Sequence, residues 1–190
     1  MAFANHQSFL DGYLLWLVAA RLARRPFLVW MEEVGRFPFF ALQGALPFPR
    51  DEPGVRAGTI RRTRRLLRAS PAPLLAYFPE GELHDADDAV HPIDQEVLAR
   101  LHDTLGGPAW WPIGIHVTWR GEARPTVLLT GGAVTPAPPV DPGALLDRLR
   151  DGLRTRPTAE HVLLDGHPGA HERWDFTWAQ RLFPHRPGRP

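Results

Sequence analysis

Short apolar runs alternate along the chain with segments in which apolar residues recur at helical spacing. The apolar runs predict strands at 1–5, 27–30, 45–48, 72–78, 109–118 and 126–130. The periodic segments predict helices at 9–25, 32–42, 54–68, 93–105 and 143–154, with a weaker helix at 158–164. This alternation predicts the α/β class, with a mainly parallel central sheet flanked by helices.

Length and composition favour a single domain. The chain has 190 residues, of which 44% are hydrophobic and 23% charged, as is typical of a globular domain of ordinary size. We expect this domain to span 1–165, and a C-terminal extension that ends in a disordered tail to span 166–190. The formal net charge of +1 argues against a nucleic-acid partner, which would need a strong basic field.

The residue types that are absent exclude several kinds of chemistry. The chain has no cysteine, which excludes disulfides, thiolate nucleophiles and cysteine-ligated metals. It has no lysine either, which excludes Schiff-base catalysis. Ser8 and Ser70 are the only serines, and neither lies in a Gly-x-Ser-x-Gly sequence. The chemistry must therefore come from His, Asp, Glu, Arg, a few hydroxyl groups and the backbone.

The distribution of apolar residues also bears on location. The longest uninterrupted apolar run, Leu14–Ala20, is far shorter than the roughly 20 residues that a membrane-spanning helix needs. No basic segment precedes an apolar stretch at the start, as it would in a secretory signal peptide. We therefore expect a cytoplasmic protein, or one bound peripherally at the inner face of the membrane.

The first candidate site joins the end of a strand to the start of a helix. His6 follows the strand predicted at 1–5, and Asp11 falls in the first turn of the next helix. Helical side chains lean toward the N-terminus, so the Asp11 carboxylate can orient the His6 ring and favour its protonated form. A histidine held in this way can take a proton from a hydroxyl group. The alternative is a Ser-x-x-Asp capping box beside a surface histidine.

Three further blocks lie at or near predicted strands. Arg50 comes just past a short strand, where it could bind a phosphate or carboxylate, or form only a surface ion pair. Glu80 and Gly81 end a Phe-Pro-Glu-Gly segment after the clearest strand, which is typical either of a site residue or of an ordinary turn. The apolar segment 110–115 contains a proline, and its default interpretation is core.

The order and spacing of these four blocks resemble the glycerolipid acyltransferase family of the lysophosphatidic acid type. That family carries His-x-x-x-x-Asp, a Gly-to-Arg block, Phe-Pro-Glu-Gly and a proline-bearing apolar strand, and all four occur here between residues 5 and about 115. The resemblance implies a glycerol-3-phosphate acyltransferase-like fold. Because the family has a helix and a complete strand ahead of the histidine, we expect this chain to be short at its N-terminus.

The resemblance implies transfer of a fatty acyl group from acyl-CoA or acyl carrier protein to a hydroxyl of a lysophospholipid, glycerolipid or related lipid. His6 would then be the general base, and Asp11 would orient it. Arg50 would bind the polar head of the acceptor, while Glu80 and Gly81 would line the acceptor site. No metal or other cofactor is implied, and the membrane surface is an expected partner.

The chain departs from the family pattern directly after Phe-Pro-Glu-Gly. The family usually continues with Thr-Arg, whereas this chain has Glu82 and Leu83. The missing arginine would help to hold a phosphate, and Glu82 adds a negative charge instead. A neutral hydroxyl acceptor, such as a glycolipid or a lipid alcohol, therefore stands beside lysophosphatidic acid as an expected substrate.

Other clusters keep further interpretations open. Arg61, Arg64, Arg65 and Arg68 form one helix face, which is either solvated or in contact with anionic lipid, CoA phosphates or an acidic carrier protein. Aromatic residues between 27 and 48 should be mostly core, with some at an acyl groove or the membrane. The acidic, histidine-bearing segment 80–91, expected to be a flexible loop, would in a metal-dependent hydrolase bind the metal. A catalytically inactive lipid-binding module is a further alternative.

Overall fold

A computed structural model of the chain describes residues 1–85, 87–119, 125–155 and 161–165. The strands are β1 (Ala2–Ala4), β2 (Phe27–Met31), β3 (Ala45–Pro47), β4 (Leu74–Tyr77), β5 (Trp111–Thr118) and β6 (Thr126–Gly131). The α-helices are α1 (Asp11–Leu17), α2 (Pro53–Leu66), α3 (Gln95–Leu105) and α4 (Pro142–Thr155). A π-helix, Val18–Ala23, continues α1, and a 3₁₀-helix spans Pro38–Gln43.

The strands form one sheet in the order β3-β2-β4-β1-β5-β6. The neighbouring pairs from β3 to β5 are parallel, and the edge pair β5–β6 is antiparallel. The predicted fold class, an α/β domain with a mainly parallel sheet flanked by helices, is therefore confirmed. Parallel strands share one carboxyl edge, so the loops that follow β1, β3 and β4 lie on the same side of the sheet.

The central strand β1 explains how the two faces of the sheet are packed. Its three side chains have no exposed surface. Because side chains alternate along a strand, Phe3 joins one hydrophobic cluster, with Leu98 of α3 and Leu146 of α4. Ala2 and Ala4 join the cluster on the other face, which α1 covers with Leu15. The chain thus leaves β1 inside the core and reaches His6 at its edge.

The prediction of a helix at 32–42 is wrong. Residues 32–36 form turns, and the helical part of this region is the 3₁₀-helix. Pro38 explains the break, since proline disfavours the α conformation at the residue before it, and Phe37 has φ −126° and ψ 66°. The 3₁₀-helix has no buried residues. The expectation that the aromatic residues of this region are mostly core therefore fails for Phe39, although it holds for Trp30.

The other predicted elements lie where they were expected, with two exceptions near the C-terminus. Residues 161–165 are not helical, and the rest of the helix predicted at 158–164 lies outside the described residues. The extension 166–190 also lies outside them. In the described part of the chain, no helix combines the length and the apolar character needed to cross a membrane.

Candidate active site

The loop between β1 and α1 places His6 against a buried carboxylate. Asp11 has no exposed surface, and its Oδ2 lies 3.0 Å from His6 Nδ1. The same oxygen accepts backbone hydrogen bonds from Gln7 N, at 2.7 Å, and Ser8 N, at 2.8 Å. Three donors around one oxygen fix the carboxylate, and the carboxylate fixes the ring so that Nε2 points away from it. The spacing of His6 and Asp11 therefore produces the contact that was predicted.

The capping-box alternative describes part of the same loop. Asp11 accepts from Ser8 N, as a capping box requires, but Ser8 Oγ accepts from Leu10 N, at 3.1 Å. Leu10 is the N-cap of α1 and makes no side-chain capping bond. The Asp11 carboxylate therefore shapes the loop and contacts the histidine at the same time.

The segment after β4 supports His6 from the neighbouring strand. The His6 ring stacks on the Phe78 ring, with centroids 4.3 Å apart and planes 21° apart. His6 N donates a hydrogen bond to Glu80 Oε1, at 2.8 Å. β1 and β4 are parallel neighbours, so the loops that follow them meet. The first and third sequence blocks are therefore in direct contact.

Glu80 is held by protein groups on both of its oxygens. Its side chain has no exposed surface. Besides His6 N on Oε1, it accepts from His91 N on Oε2, at 2.7 Å, and His84 Nε2 lies 2.8 Å from the same oxygen. The geometry suits a residue that positions the loop, with Gly81, at φ 73° and exposed, as the part of the block that faces outward.

Arg50 reaches the same loop from β3, two strands away. Its Nη1 lies 3.1 Å from Glu82 Oε1, and its Nη2 donates to Gly81 O, at 3.4 Å. More than half of each side chain of the pair is exposed. An exposed ion pair is worth about 0–1 kcal/mol, so an incoming anion can compete with Glu82 for the guanidinium. The residues of the first three blocks therefore converge at the carboxyl edge of the sheet.

Tyr77 does not compete with His6 as a base. It is the last residue of β4, and its ring meets Trp30 edge-on, with centroids 5.6 Å apart. Burial raises the pKa of Tyr77 to about 12, against the opposing charge of Arg56. The phenol therefore stays protonated at neutral pH.

The acidic segment after Glu80 forms a loop, as predicted, and several of its described residues contact the rest of the domain. His84 Nδ1 lies 2.9 Å from Asp85 O, and the His84 and His91 rings are 4.6 Å apart. Val90 N donates to Asp147 Oδ1 of α4, at 3.1 Å. Among the described residues, no three His, Asp or Glu side chains are placed so as to hold a metal ion.

The amide side chain of Asn5, directly before His6, was not predicted to have a role at the site. Asn5 has no exposed surface, and its Nδ2 donates to Ile115 O, at 2.9 Å, while its Oδ1 accepts from Ile115 N, at 2.8 Å. The Asn5 side chain thus continues the pairing of β1 with β5 by one further step. Asn5 is the only asparagine in the chain and precedes His6, and that position was the available signal.

An exposed cluster of apolar side chains lies beside the histidine loop. Phe9 is in edge-on contact with Phe37, at 5.8 Å between centroids, and with Phe40, at 5.9 Å. Phe39 and Phe40 are 4.2 Å apart, and Leu42 is 89% exposed. We call Phe9, Phe37, Phe39, Phe40 and Leu42 the aromatic patch. It brings apolar surface into contact with the chain segment that carries His6.

A family model described as Acyltransferase matches residues 2–104, which is more than half of the 190 residues. The chain therefore belongs to the acyltransferase family and is an enzyme of the acyltransferase class, in agreement with the glycerolipid acyltransferase resemblance. The match covers the blocks that carry His6, Asp11, Arg50 and Glu80. No match was found among curated proteins or among solved structures.

Proposed function

We propose that this acyltransferase moves a fatty acyl group from acyl-CoA or acyl carrier protein to a hydroxyl of a lysophospholipid, glycerolipid or related lipid. The observation that supports this proposal is the contact of 3.0 Å between His6 Nδ1 and the buried Asp11 Oδ2. His6 is the general base, and Asp11 is the residue that orients it and stabilises its protonated form.

The proposed reaction is a direct transfer. His6 Nε2 takes the proton of the acceptor hydroxyl while the hydroxyl oxygen attacks the thioester carbonyl carbon. The C–S bond then breaks, and the imidazolium returns the proton to the leaving thiolate. The new bond is an ester, and the products are the acylated lipid and the free thiol. General-base help of this kind is worth about 10²–10⁴-fold in rate.

The proposed acceptor site lies between Arg50 and the segment after Glu80. Arg50 is exposed and paired with Glu82 at the surface, so the negatively charged head of a lipid can take the place of Glu82. Gly81 lines the site with its backbone, whereas Glu80, which was expected to line it too, supports the loop from the inside because its side chain has no exposed surface. A neutral acceptor would leave the Arg50–Glu82 pair intact, which makes the charge of the preferred acceptor testable.

We also propose that the protein works at the inner face of the membrane as a peripheral protein of the cytoplasm. The aromatic patch supports this, because exposed Phe and Leu side chains partition into the region between lipid headgroups and acyl chains. Phe9 is three positions from His6 in the chain, so a membrane that receives the patch would bring lipid hydroxyls close to the base.

The test of the proposal is thiol release from acyl-CoA and from acyl carrier protein, with a panel of lysophospholipid and neutral glycolipid acceptors. We expect acceptor-dependent thiol release and a loss of about 10²-fold or more in His6→Ala. The matched control is His161→Ala, which removes an exposed histidine outside the site. Full activity of a folded His6→Ala variant would contradict the general-base role, and no reaction of the parent with any acceptor would favour the inactive lipid-binding module.

A further inference from the structure

Arg150 of α4 is a buried cation outside the region that the family model matches. Its side chain is 4% exposed, although α4 is otherwise a helix with a polar outer face. Nη2 lies 3.1 Å from Asp147 Oδ1, one turn earlier in the helix, and Nη1 donates to the backbone oxygen of Asp88. A buried guanidinium is costly unless several acceptors surround it, so its partners show what it holds together.

Arg150 also reaches the segment that carries His6. With the Gln7 amide oriented to satisfy both of its neighbours, Gln7 Oε1 accepts from Arg150 Nη1, at 3.0 Å. In the same orientation Gln7 Nε2 donates to Ile115 O, at 3.2 Å. Gln7 follows His6 directly, and its backbone N–H donates to Asp11. The Arg150 side chain thus links α4 to Gln7, which lies between the proposed base His6 and Asp11 in the sequence.

The sheet is shaped to let α4 come this close. Gly114 of β5 lies under α4, where a Cβ would be 2.8 Å from Leu149 Cβ and 3.0 Å from the Leu149 carbonyl carbon. Any larger residue at 114 would push the helix outward and draw Arg150 away from Gln7. The close packing of α4 on β5 therefore sets the position of the guanidinium.

The partners of Arg150 lie in three segments: the loop after Glu80, α4 itself and the loop that carries His6. Asp88 lies in the loop after Glu80, and Asp147 also accepts from Val90 N in that loop. Gln7 lies in the loop of the base. We propose that Arg150 is a positioning residue for acyl transfer, which locks the His6 loop and the loop after Glu80 onto α4. This inference rests on the proposed function for its kinetic consequence, but not for its structural one.

The experiment compares Arg150→Gln, Arg150→Lys and Gln7→Ala with the control Arg154→Gln, which removes an exposed arginine one turn further along α4. The readouts are kcat and KM for thiol release, the melting temperature, and the rate at which diethyl pyrocarbonate modifies His6, followed by mass spectrometry of the peptide. Modification of His6 reports the environment of the ring and needs no acyl transfer.

We expect Arg150→Gln to lower kcat by about 10-fold to 10²-fold with little change in KM, since small displacements of a reacting group cost this much. The modification rate of His6 should change by several-fold in the same variant. Arg150→Lys should recover part of both effects, because the ammonium keeps the charge but not the fork of donors. Gln7→Ala should reproduce the loss in kcat, and Arg154→Gln should match the parent.

A folded Arg150→Gln variant with parental kcat or a parental modification rate of His6 would overturn the inference. If Arg150→Gln does not fold, Gln7→Ala and Arg150→Lys decide the matter, and parental values of kcat and His6 reactivity in both would overturn it. If the parent transfers no acyl group to any acceptor, the proposed function fails, while the His6 modification rate still tests the role of Arg150.

Discussion

Two regions beside His6 reverse the usual distribution of polar and apolar residues, in opposite directions. Asp11 and Glu80 are carboxylates with no exposed surface, and each accepts two backbone hydrogen bonds and lies against a histidine ring. In the aromatic patch, Phe9, Phe39 and Leu42 are mostly exposed, with Phe39 at 58%. Buried charge and exposed apolar clusters both oppose stability, so each is expected where function requires it. This contrast supports the proposal that the inner region carries the chemistry and that the outer region contacts lipid.

The largest expected effect on stability comes from the buried side of this comparison. Glu80→Ala should lower the free energy of unfolding by about 3–5 kcal/mol, because it leaves two backbone N–H groups without their acceptor and removes the carboxylate that lies 2.8 Å from His84 Nε2. Glu82→Ala, two positions further along, should change it by no more than about 0.5 kcal/mol, since that side chain is exposed. Urea denaturation of the two variants measures the difference in the free energy of unfolding. Equal and small losses in both variants would show that the contacts of Glu80 do not stabilise the fold.

Asn5 offers a second test of the buried side, through neutral hydrogen bonds to Ile115. Asn5→Ala should cost about 1–3 kcal/mol, because it leaves the N–H of Ile115 without an acceptor inside the core and removes one of the two donors to Ile115 O. The control is Gln95→Ala, whose amide bonds Val140 O at the surface and should matter by less than about 0.5 kcal/mol. If Asn5→Ala costs less than about 0.5 kcal/mol, water must replace the lost amide, and the backbone of β5 at Ile115 must be accessible to solvent.

Arg50 belongs to neither region, since its contacts are with Gly81 and Glu82, and it should affect binding alone. Arg50→Ala should raise the KM of a phosphorylated acceptor by about tenfold or more, with kcat nearly unchanged. The substitution removes the charged donor that would bind the phosphate of the head group. The KM of a neutral acceptor should stay the same. Arg100→Ala, which breaks an exposed pair with Glu96, is the control. A fall in kcat without a change in KM would place Arg50 in the chemical step instead.

The smallest expected effect on stability comes from the exposed side. Phe39→Ser combined with Leu42→Ser should change the free energy of unfolding by no more than about 0.5 kcal/mol, because both side chains are largely outside the core. The same variant should bind anionic lipid vesicles more weakly in a flotation assay. Val162→Ser combined with Leu164→Ser removes exposed apolar residues elsewhere and should bind as the parent does. Unchanged flotation of the patch variant would contradict the membrane role of the patch.

Features that depend on local spacing could be predicted from the sequence. The strands and most helices follow from apolar runs and their period, and the contact between His6 and Asp11 follows from a separation of five positions across a strand end and a helix start. The convergence of Arg50 and Glu80 follows from parallel strands that share a carboxyl edge. These are consequences of geometry within one or two elements.

The rest depends on packing between distant elements. The exposure of Phe39 could not be predicted, because an apolar residue looks the same in the sequence whether it is buried in a core or exposed to solvent. The burial of Glu80 depends on His84 and His91 folding back over it, and acidic loops usually face water. Arg150 contacts a residue 143 positions earlier, and its burial depends on how closely α4 packs on Gly114.

The central claim is that His6 and Asp11 act as one unit in the chemical step, and a double-mutant cycle tests it most directly. Thiol release with saturating donor and acceptor is measured for His6→Ala, Asp11→Asn and the combined variant. Asp11→Asn keeps the size of the side chain but loses its charge, so it should slow the reaction less than His6→Ala does. Because Asp11 is proposed to work through His6, the combined variant should be no slower than His6→Ala alone. Rate losses that multiply in the combined variant would show that the two residues act independently, and would contradict the account.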